Sequence, residues 1–391
     1  MIARNLYLVI LSILIELTLL SSCKLSPPTN EYRIGINVDL AERYEPKYLF
    51  DSIHITPLET SPESVLQKCS KLIVKDSLCF IIDNSQRAVY VFDMHGNFLF
   101  NTKNLIGRGP GEYHDAIDFD INPVTNRIEI LDPAVSRIAT YDFAGSFVEY
   151  HYLPKEIMPL GKFKILTDDC YLFFSGINDY NGKNFIFWSK SQKKLIKYDL
   201  ELSEKLDGFP TVNPMPFYTF QSKLFFASSY VSKDVYLIDP SANNITLAFS
   251  FSFFGRNCST LDDLPANTTR NDKLDFPNAL SDKYAIPYTP GETLGFYYTF
   301  FYYKKELHYA KYNKADKSVE VYYSVFGEKY QIPPPHFVDE ESFIYLSKPS
   351  HIPFSVSTDL LNEANRIIYD SIDAFDNPYI IRYYFRKATK K

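Results

Sequence analysis

Apolar positions along the chain gather into short runs that end at turn-forming residues, and one arrangement of runs is copied. In Cys79 to Phe98 the run Phe80-Ile81-Ile82 stops at Asp83, and Val89-Tyr90-Val91-Phe92 stops at Asp93, three residues before Gly96. Ile128 to Phe147 repeats the order at Asp132, Asp142 and Gly145. The intervals from Asp83 to Asp132, Asp93 to Asp142 and Gly96 to Gly145 are equal. Three markers at one spacing identify a repeated strand and turn unit. Asp83 and Asp132 suit the capping of the turn after a strand. Asp-x-x-Gly predicts a tight turn whose last position tolerates positive φ. Arg87 and Arg137, at the start of the second run, are expected to pair with a neighbouring Asp or carbonyl.

Weaker echoes extend the series, with first strands near residues 79, 128, 171, 223, 295 and 343. Most of these intervals fit the roughly 40 to 50 residues of a four-stranded propeller blade. The widest implies an insertion at about 255–292. The pattern therefore predicts an all-β, six-bladed β-propeller with four-stranded blades over residues 50–387. Ser52 to Leu58 and Asn377 to Phe385 are extended segments at the two ends, and one or both must close the ring, because an open propeller leaves a bare sheet edge. Between them Thr358 reads as an N-cap, and Leu360, Leu361, Ala364, Ile367, Ile368 and Ile372 form one apolar face. These predict a single C-terminal helix over 359–371.

The first 22 residues read as a signal peptide, with Arg4 before an apolar stretch from Leu6 to Leu20 that is short for a membrane span. Leu20-Ser21-Ser22-Cys23 resembles a bacterial lipobox, which makes Cys23 the lipidation site and new N-terminus. Residues 23–49 are then the lipidated N-terminus and tether, in which Lys24-Leu25-Ser26-Pro27-Pro28-Thr29-Asn30 is polar and flexible. Lys24, in place of Asp, points to the outer membrane, facing the periplasm or the cell surface. Cys69, Cys79, Cys170 and Cys258 remain. Export permits disulfides, but Cys79 and Cys170 sit in apolar runs, where free buried thiols are expected.

The Asp-x-x-x-Arg-x-x-x-Phe-Asp-x-x-Gly pattern at Asp83, Arg87, Phe92, Asp93 and Gly96, with its looser copy at Asp132, Arg137, Tyr141, Asp142 and Gly145, resembles the NHL repeat of six-bladed propellers. Together with the lipobox, the loop Ile106 to Tyr113 and the terminal Asn377-Pro378 strand, it looks like the six-bladed propeller lipoproteins of Bacteroides-like bacteria. Lys190 replaces the third unit's turn Asp, and the fourth and fifth units lack the turn Gly. The resemblance implies architecture and address, and no activity.

Composition narrows the remaining choices. The chain is 46% hydrophobic and 16% aromatic, which excludes a disordered chain, and its net charge of -6 argues against nucleic acid as a partner. Gly107-Arg108-Gly109-Pro110-Gly111-Glu112 lacks the Gly-Lys-Ser/Thr ending of a phosphate loop. It reads as a structured inter-blade loop, with Arg108, Glu112 and Tyr113 as ligand-facing candidates. Asp118 and Asp120 flank Phe119 on an expected strand and would project to one side, as a further candidate pair. Seven histidines, among them His308, His336 and His351, show no metal spacing, so no metal and no cofactor is expected. Tyr297, Tyr298, Tyr302 and Tyr303 read as blade packing. The insertion, with Asn257, Asp262, Asp263, Asn267 and Arg270, is the expected functional loop.

These features predict a lipid-anchored envelope propeller that binds a protein, glycan or peptide without catalysis. The alternative is an extracytoplasmic lyase or hydrolase acting on glycan or peptide at the axial funnel. No catalytic residue is assigned. The anchor is tested by Cys23→Ala, which is expected to abolish acyl labelling and detergent-phase partitioning. Retention of both would reject it.

Overall fold

The structure is a computed structural model that describes residues 33–386 apart from 158–160, 176–181, 210–214, 228–231, 256 and 332–333. Cys23, the leader and residues 24–30 lie outside the described residues. Strands β1 (Arg33–Asn37), β2 (Glu42–Arg43) and β3 (Phe50–Pro57) precede the first complete blade, β4 (Cys69–Lys75), β5 (Leu78–Asp83), β6 (Ala88–Asp93) and β7 (Phe98–Asn101). The second blade is β8 (Asp118–Ile121), β9 (Ile128–Asp132), β10 (Arg137–Tyr141) and β11 (Phe147–Tyr152). The third is β12 (Lys162–Ile165), β13 (Cys170–Phe174), β14 (Phe185–Ser189) and β15 (Lys194–Asp199). The fourth holds β16 (Phe217–Phe220), β17 (Lys223–Ala227), β18 (Asp234–Asp239) and β19 (Asn244–Phe254). The fifth holds β20 (Ile286–Glu292), β21 (Phe296–Tyr303), β22 (Glu306–Asn313) and β23 (Val319–Ser324). The sixth combines β24 (Phe337–Val338), β25 (Ser342–Ser347) and β26 (Tyr379–Phe385) with β3.

The run of apolar residues in the middle strands follows from burial on both faces, since each blade is sandwiched between two others. Ile130 and Leu131 are consecutive, and they enter different cores: Ile130 joins the cluster shared with the first blade, Leu131 the one shared with the third. Six such clusters lie between successive blades, including the one that joins the sixth to the first. Outer strands alternate instead, as in β15, where Lys194 is exposed and Leu195 half-buried.

The repeat residues hold turns. Asp93 Oδ1 accepts from the backbone N–H of His95 and Asn97, and Asp142 Oδ1 from Ala144 and Ser146. Gly96 and Gly145 then take φ of 87° and 80°. A Cβ at Gly96 would sit 1.9 Å from the Pro57 carbonyl oxygen, so close approach as well as φ demands glycine there. The later blades keep this conformation without glycine, at Lys193 (φ 49°), Asn243 (φ 46°) and Lys317 (φ 61°). That is why the repeat fades in sequence while the turn persists.

Both terminal segments close the ring. β3 pairs antiparallel with β26, from Pro57 against Tyr379 to Phe50 against Phe385. The joint is locked by buried Asn377: its Oδ1 accepts from Leu66 N–H at 2.8 Å, and its Nδ2 donates to Glu59 O and Ser64 O at 2.7 and 2.9 Å.

Three expected boundaries move. Residues 33–49, expected as tether, are structured: β1 lies parallel on β19 and β2 parallel on β23, extending those blades to five strands. Ile34 and Ile36 enter the adjoining core, which is the reason the segment adheres. The insertion ends before 286, because Ile286–Glu292 is the first strand of the fifth blade. The helix is Glu363–Asp370, capped by Asn362 and not Thr358, whose residues 358–360 form a separate 3-10 turn. Asn365 on that helix accepts from Ile55 N–H at 2.7 Å and so covers the outer edge of the sixth blade. All four cysteines in the described residues are free thiols, with Cys79 and Cys170 buried.

Asn377→Ala leaves the Leu66 N–H and the Ser64 carbonyl without partners and Glu59 O with Ser64 Oγ alone. It is expected to cost about 3 kcal/mol in chemical denaturation. A loss under about 1 kcal/mol would mean that water replaces the amide and that the joint is held elsewhere.

Candidate functional site

In an antiparallel four-stranded blade, the connection between the second and third strands and the one leading to the next blade emerge at the same end. All long connections of this ring fall there, including 58–68, 102–117, 255–285, 325–336 and 348–378. The opposite end carries tight turns such as 76–77 and 94–97. One face therefore has the material to build a site.

The insertion forms a small second core on that face. Leu261, Leu264, Phe276, Leu280 and Tyr284 pack with Phe209 and Ile286. Lys273 Nζ donates to Asp207 O at 2.6 Å and lies over the Phe209 ring, docking the insertion on the loop after the third blade. Two of its expected polar groups are engaged, Asp263 capping its own turn through Thr260 N–H and Asp262 pairing with Lys233 of the fourth blade, while Asn267 and Arg270 are exposed. The insertion is a brace, and Phe276 presses edge-to-face on Tyr302, with ring centroids 5.4 Å apart.

Beyond Tyr302 a cavity of about 790 Å³ opens between the fifth and sixth blades, within the size range of small-molecule sites. Tyr288 and Tyr302 wall it from the fifth blade, Tyr345, Ile381 and Tyr383 from the sixth, and exposed Phe326 and Phe354 stand at its rim. The polar lining comprises Lys305, Gln331, His336, His351, a threonine and four serines. Among the described residues it contains no Asp and no Glu. His336 Nδ1 accepts from Leu346 N–H at 3.2 Å. A backbone amide can only donate, so this ring carries its proton on Nε2. Burial also pushes the His336 pKa down to about 4, keeping it neutral at ordinary pH. Burial raises the Tyr345 and Tyr383 phenols, so they remain protonated donors. A smaller hollow of about 460 Å³ opens on the opposite face among the second to fourth blades.

None of the candidates expected from the sequence lines the large cavity. Arg108 is exposed at a loop tip, and Glu112 folds into its own loop, where Oε2 accepts from Gly109 N–H at 2.6 Å. A Cβ on Gly107 would lie 2.0 Å from that oxygen, which accounts for the glycine. Tyr113 is fully buried, with its hydroxyl bonded to Thr102 and Arg87 O. Asp118 and Asp120 do project to one side, but that side is the first strand of the third blade, not a ligand. Asp118 Oδ2 accepts from Phe163 N–H and Asp120 Oδ2 from Ile165 N–H, at 3.1 and 2.8 Å, while Lys71 and Lys164 neutralise them at 3.0 and 2.8 Å. Asp83 takes the N–H groups of Gln67, Lys68, Ser85 and Gln86. Arg137 pairs with Asp132, donates to Glu112 O and stacks 4.0 Å over Tyr150, whereas Arg87 is exposed and makes no ion pair among the described residues. The cavity itself left no local signal, because its walls come from strands far apart in the chain.

Residues 35–384 match the model of a family described as a domain of unknown function, DUF4934. The chain belongs to that family. Among solved structures the DUF4934 propeller is similar to a Bacteroides fragilis NCTC 9343 protein provisionally described as exported. Identity there is 17% and the TM-score 0.68, over 91% of this chain and 100% of that one. It is also similar to a member of the DUF4221 family from Bacteroides vulgatus ATCC 8482, at 12% identity and a TM-score of 0.50, over 86% of this chain and 98% of the other. Such identities establish a shared ring and no shared chemistry. No curated protein matches the chain. Among the described residues of the DUF4934 chain, no helix is long and apolar enough to cross a membrane, and no group of three or more His, Cys, Asp or Glu is placed to hold a metal ion.

Asp118→Ala separates a structural seam from a site. It strands Lys71 and Lys162, both mostly buried, which lie 3.0 and 3.7 Å from the carboxylate. A loss of about 3 to 5 kcal/mol in urea denaturation is expected. A near-neutral result would show that these lysines reach water.

Proposed function

We propose that this DUF4934 propeller is an envelope-anchored binding module that holds a small molecule, or the end of a glycan or peptide, in the cavity between its fifth and sixth blades without transforming it. One observation carries the reading: the walls are aromatic and hydroxyl-bearing, and among the described residues no carboxylate lines them. Lyase or hydrolase chemistry on a glycan or peptide needs a general acid or base with a pKa near the working pH. Of the two histidines in the lining, half-buried His336 is held far below that range, and His351 stands exposed. Rigid aromatic faces gripping a ligand need no such group. The extracytoplasmic address rests on the leader ending at Cys23 and on the exported neighbour from Bacteroides fragilis. Outer-membrane attachment through Cys23 would keep the module at high local concentration beside envelope partners.

Ligand-observed NMR with neutral oligosaccharides and short peptides tests the binder. At least one probe is expected to bind and to weaken about tenfold in Tyr302→Ala, with the thermal melt little changed. Turnover of a bound probe, or binding indifferent to Tyr302→Ala, would overturn the proposal.

A further inference from the structure

The polar groups around this cavity are unbalanced. His336 offers Nε2–H and has no free acceptor, since Nδ1 is taken by Leu346 N–H. Tyr383 is 1% exposed, and its hydroxyl makes no hydrogen bond of normal geometry, although Ser355 lies beside it. Lys305 adds an ammonium at the rim, where it also meets Asp282 at 3.0 Å, both side chains being solvated. Gln331 commits its amide nitrogen to Glu328 O and its backbone N–H to Phe354 O. Among the described residues the lining has no Asp or Glu; its hydroxyls and Gln331 Oε1 can accept as well as donate, whereas the His336 Nε2–H and the Lys305 ammonium can only donate, and the remaining surface is aromatic and aliphatic.

From this we infer that the ligand is a small organic acid, with an apolar body seated against Tyr288 and Tyr302 and a carboxylate turned to His336 and Tyr383. The inference rests on the cavity being the binding site. A carboxylate is a pure acceptor, and it satisfies a buried hydroxyl and an imidazole N–H that otherwise lack partners. A cationic ligand would meet Lys305 and, among the described residues, no carboxylate in the lining. The volume suits an acid of drug-like size.

The test uses the detergent-solubilised full chain and three probes of one shape: 3-phenylpropionate, its methyl ester and 3-phenylpropylamine. Ligand-observed NMR titration at neutral pH is expected to give the acid a Kd below about 1 mM, at least about tenfold tighter than the ester, with no binding of the amine. Tyr383→Phe keeps the ring and removes only the hydroxyl. It and His336→Phe should each erase most of the preference for acid over ester, whereas Tyr302→Ala should weaken acid and ester alike. Equal binding of acid and ester, binding of the amine, or an acid preference untouched by Tyr383→Phe would overturn the inference. If the acid fails while a neutral oligosaccharide or peptide binds and is lost in Tyr302→Ala, the organic acid is discarded and the cavity stands. Failure of every probe in both panels discards both.

Discussion

A circular array of sheets has cores only between neighbours, so the molecule depends on the joint where its two ends meet. Here β3 and β26 share a sheet, and the single amide of Asn377 gathers the chain at Glu59, Ser64 and Leu66 around that seam. Without it the cluster joining Leu58, Leu72 and Ile81 to Ile344 and Ile380 would face water on one side. The fifth and sixth blades would also lose their fixed relation, and the cavity lies between them. The loop closed by this joint spans nearly the whole chain, so ordering it late carries a high entropic cost.

The outer rim shows the same constraint managed differently. A blade's last strand presents unpaired backbone groups. The segment from β1 to Glu63 runs along four successive rims: as strands on the fourth and fifth blades, as part of the sixth, and through Glu59 and Glu63 bonded to Phe98 and Asn101 on the first. Anything fixed upstream of Arg33 therefore holds the ring by its edge.

That face divides labour between support and contact. The insertion braces Tyr302 from outside, with Asp263 capping its own turn and Asp262 paired to Lys233. The inner end of the ring between the first three blades is closed by ion pairs of Lys71, Asp118, Asp120 and Lys164, whose carboxylates also bind backbone N–H groups. Rigidity on those sides leaves the gap between the fifth and sixth blades as the place where aromatic side chains stay open to a ligand.

How much of this could be read from sequence differs by residue. Asp93, Gly96, Asp142 and Gly145 announced their turns because the requirement is local: a carboxylate meets N–H groups two and four residues on, and the backbone turns left-handed. The blade count, the ring closure and the free state of Cys79 and Cys170 followed from runs of apolar residues and their spacing. Asp118 and Asp120 were legible as a pair on one side of a strand, yet what that side faces, Phe163 and Ile165 from the next blade, is not written near them. Residues 33–49 likewise looked like tether because a strand of two or five residues gains meaning only against an edge.

The sequence by itself thus determined the repeat, the wedge-shaped module and the need for the ends to meet, since these arise from patterns within about 50 residues. The cavity was decided by tertiary structure alone. Tyr288 and Tyr383 lie on strands of different blades and His336 on the loop before β24, and their shared surroundings exist only after two blades are set side by side. The absence of carboxylates among the described residues there, and the desolvation that keeps His336 neutral, are properties of that meeting and of no single segment.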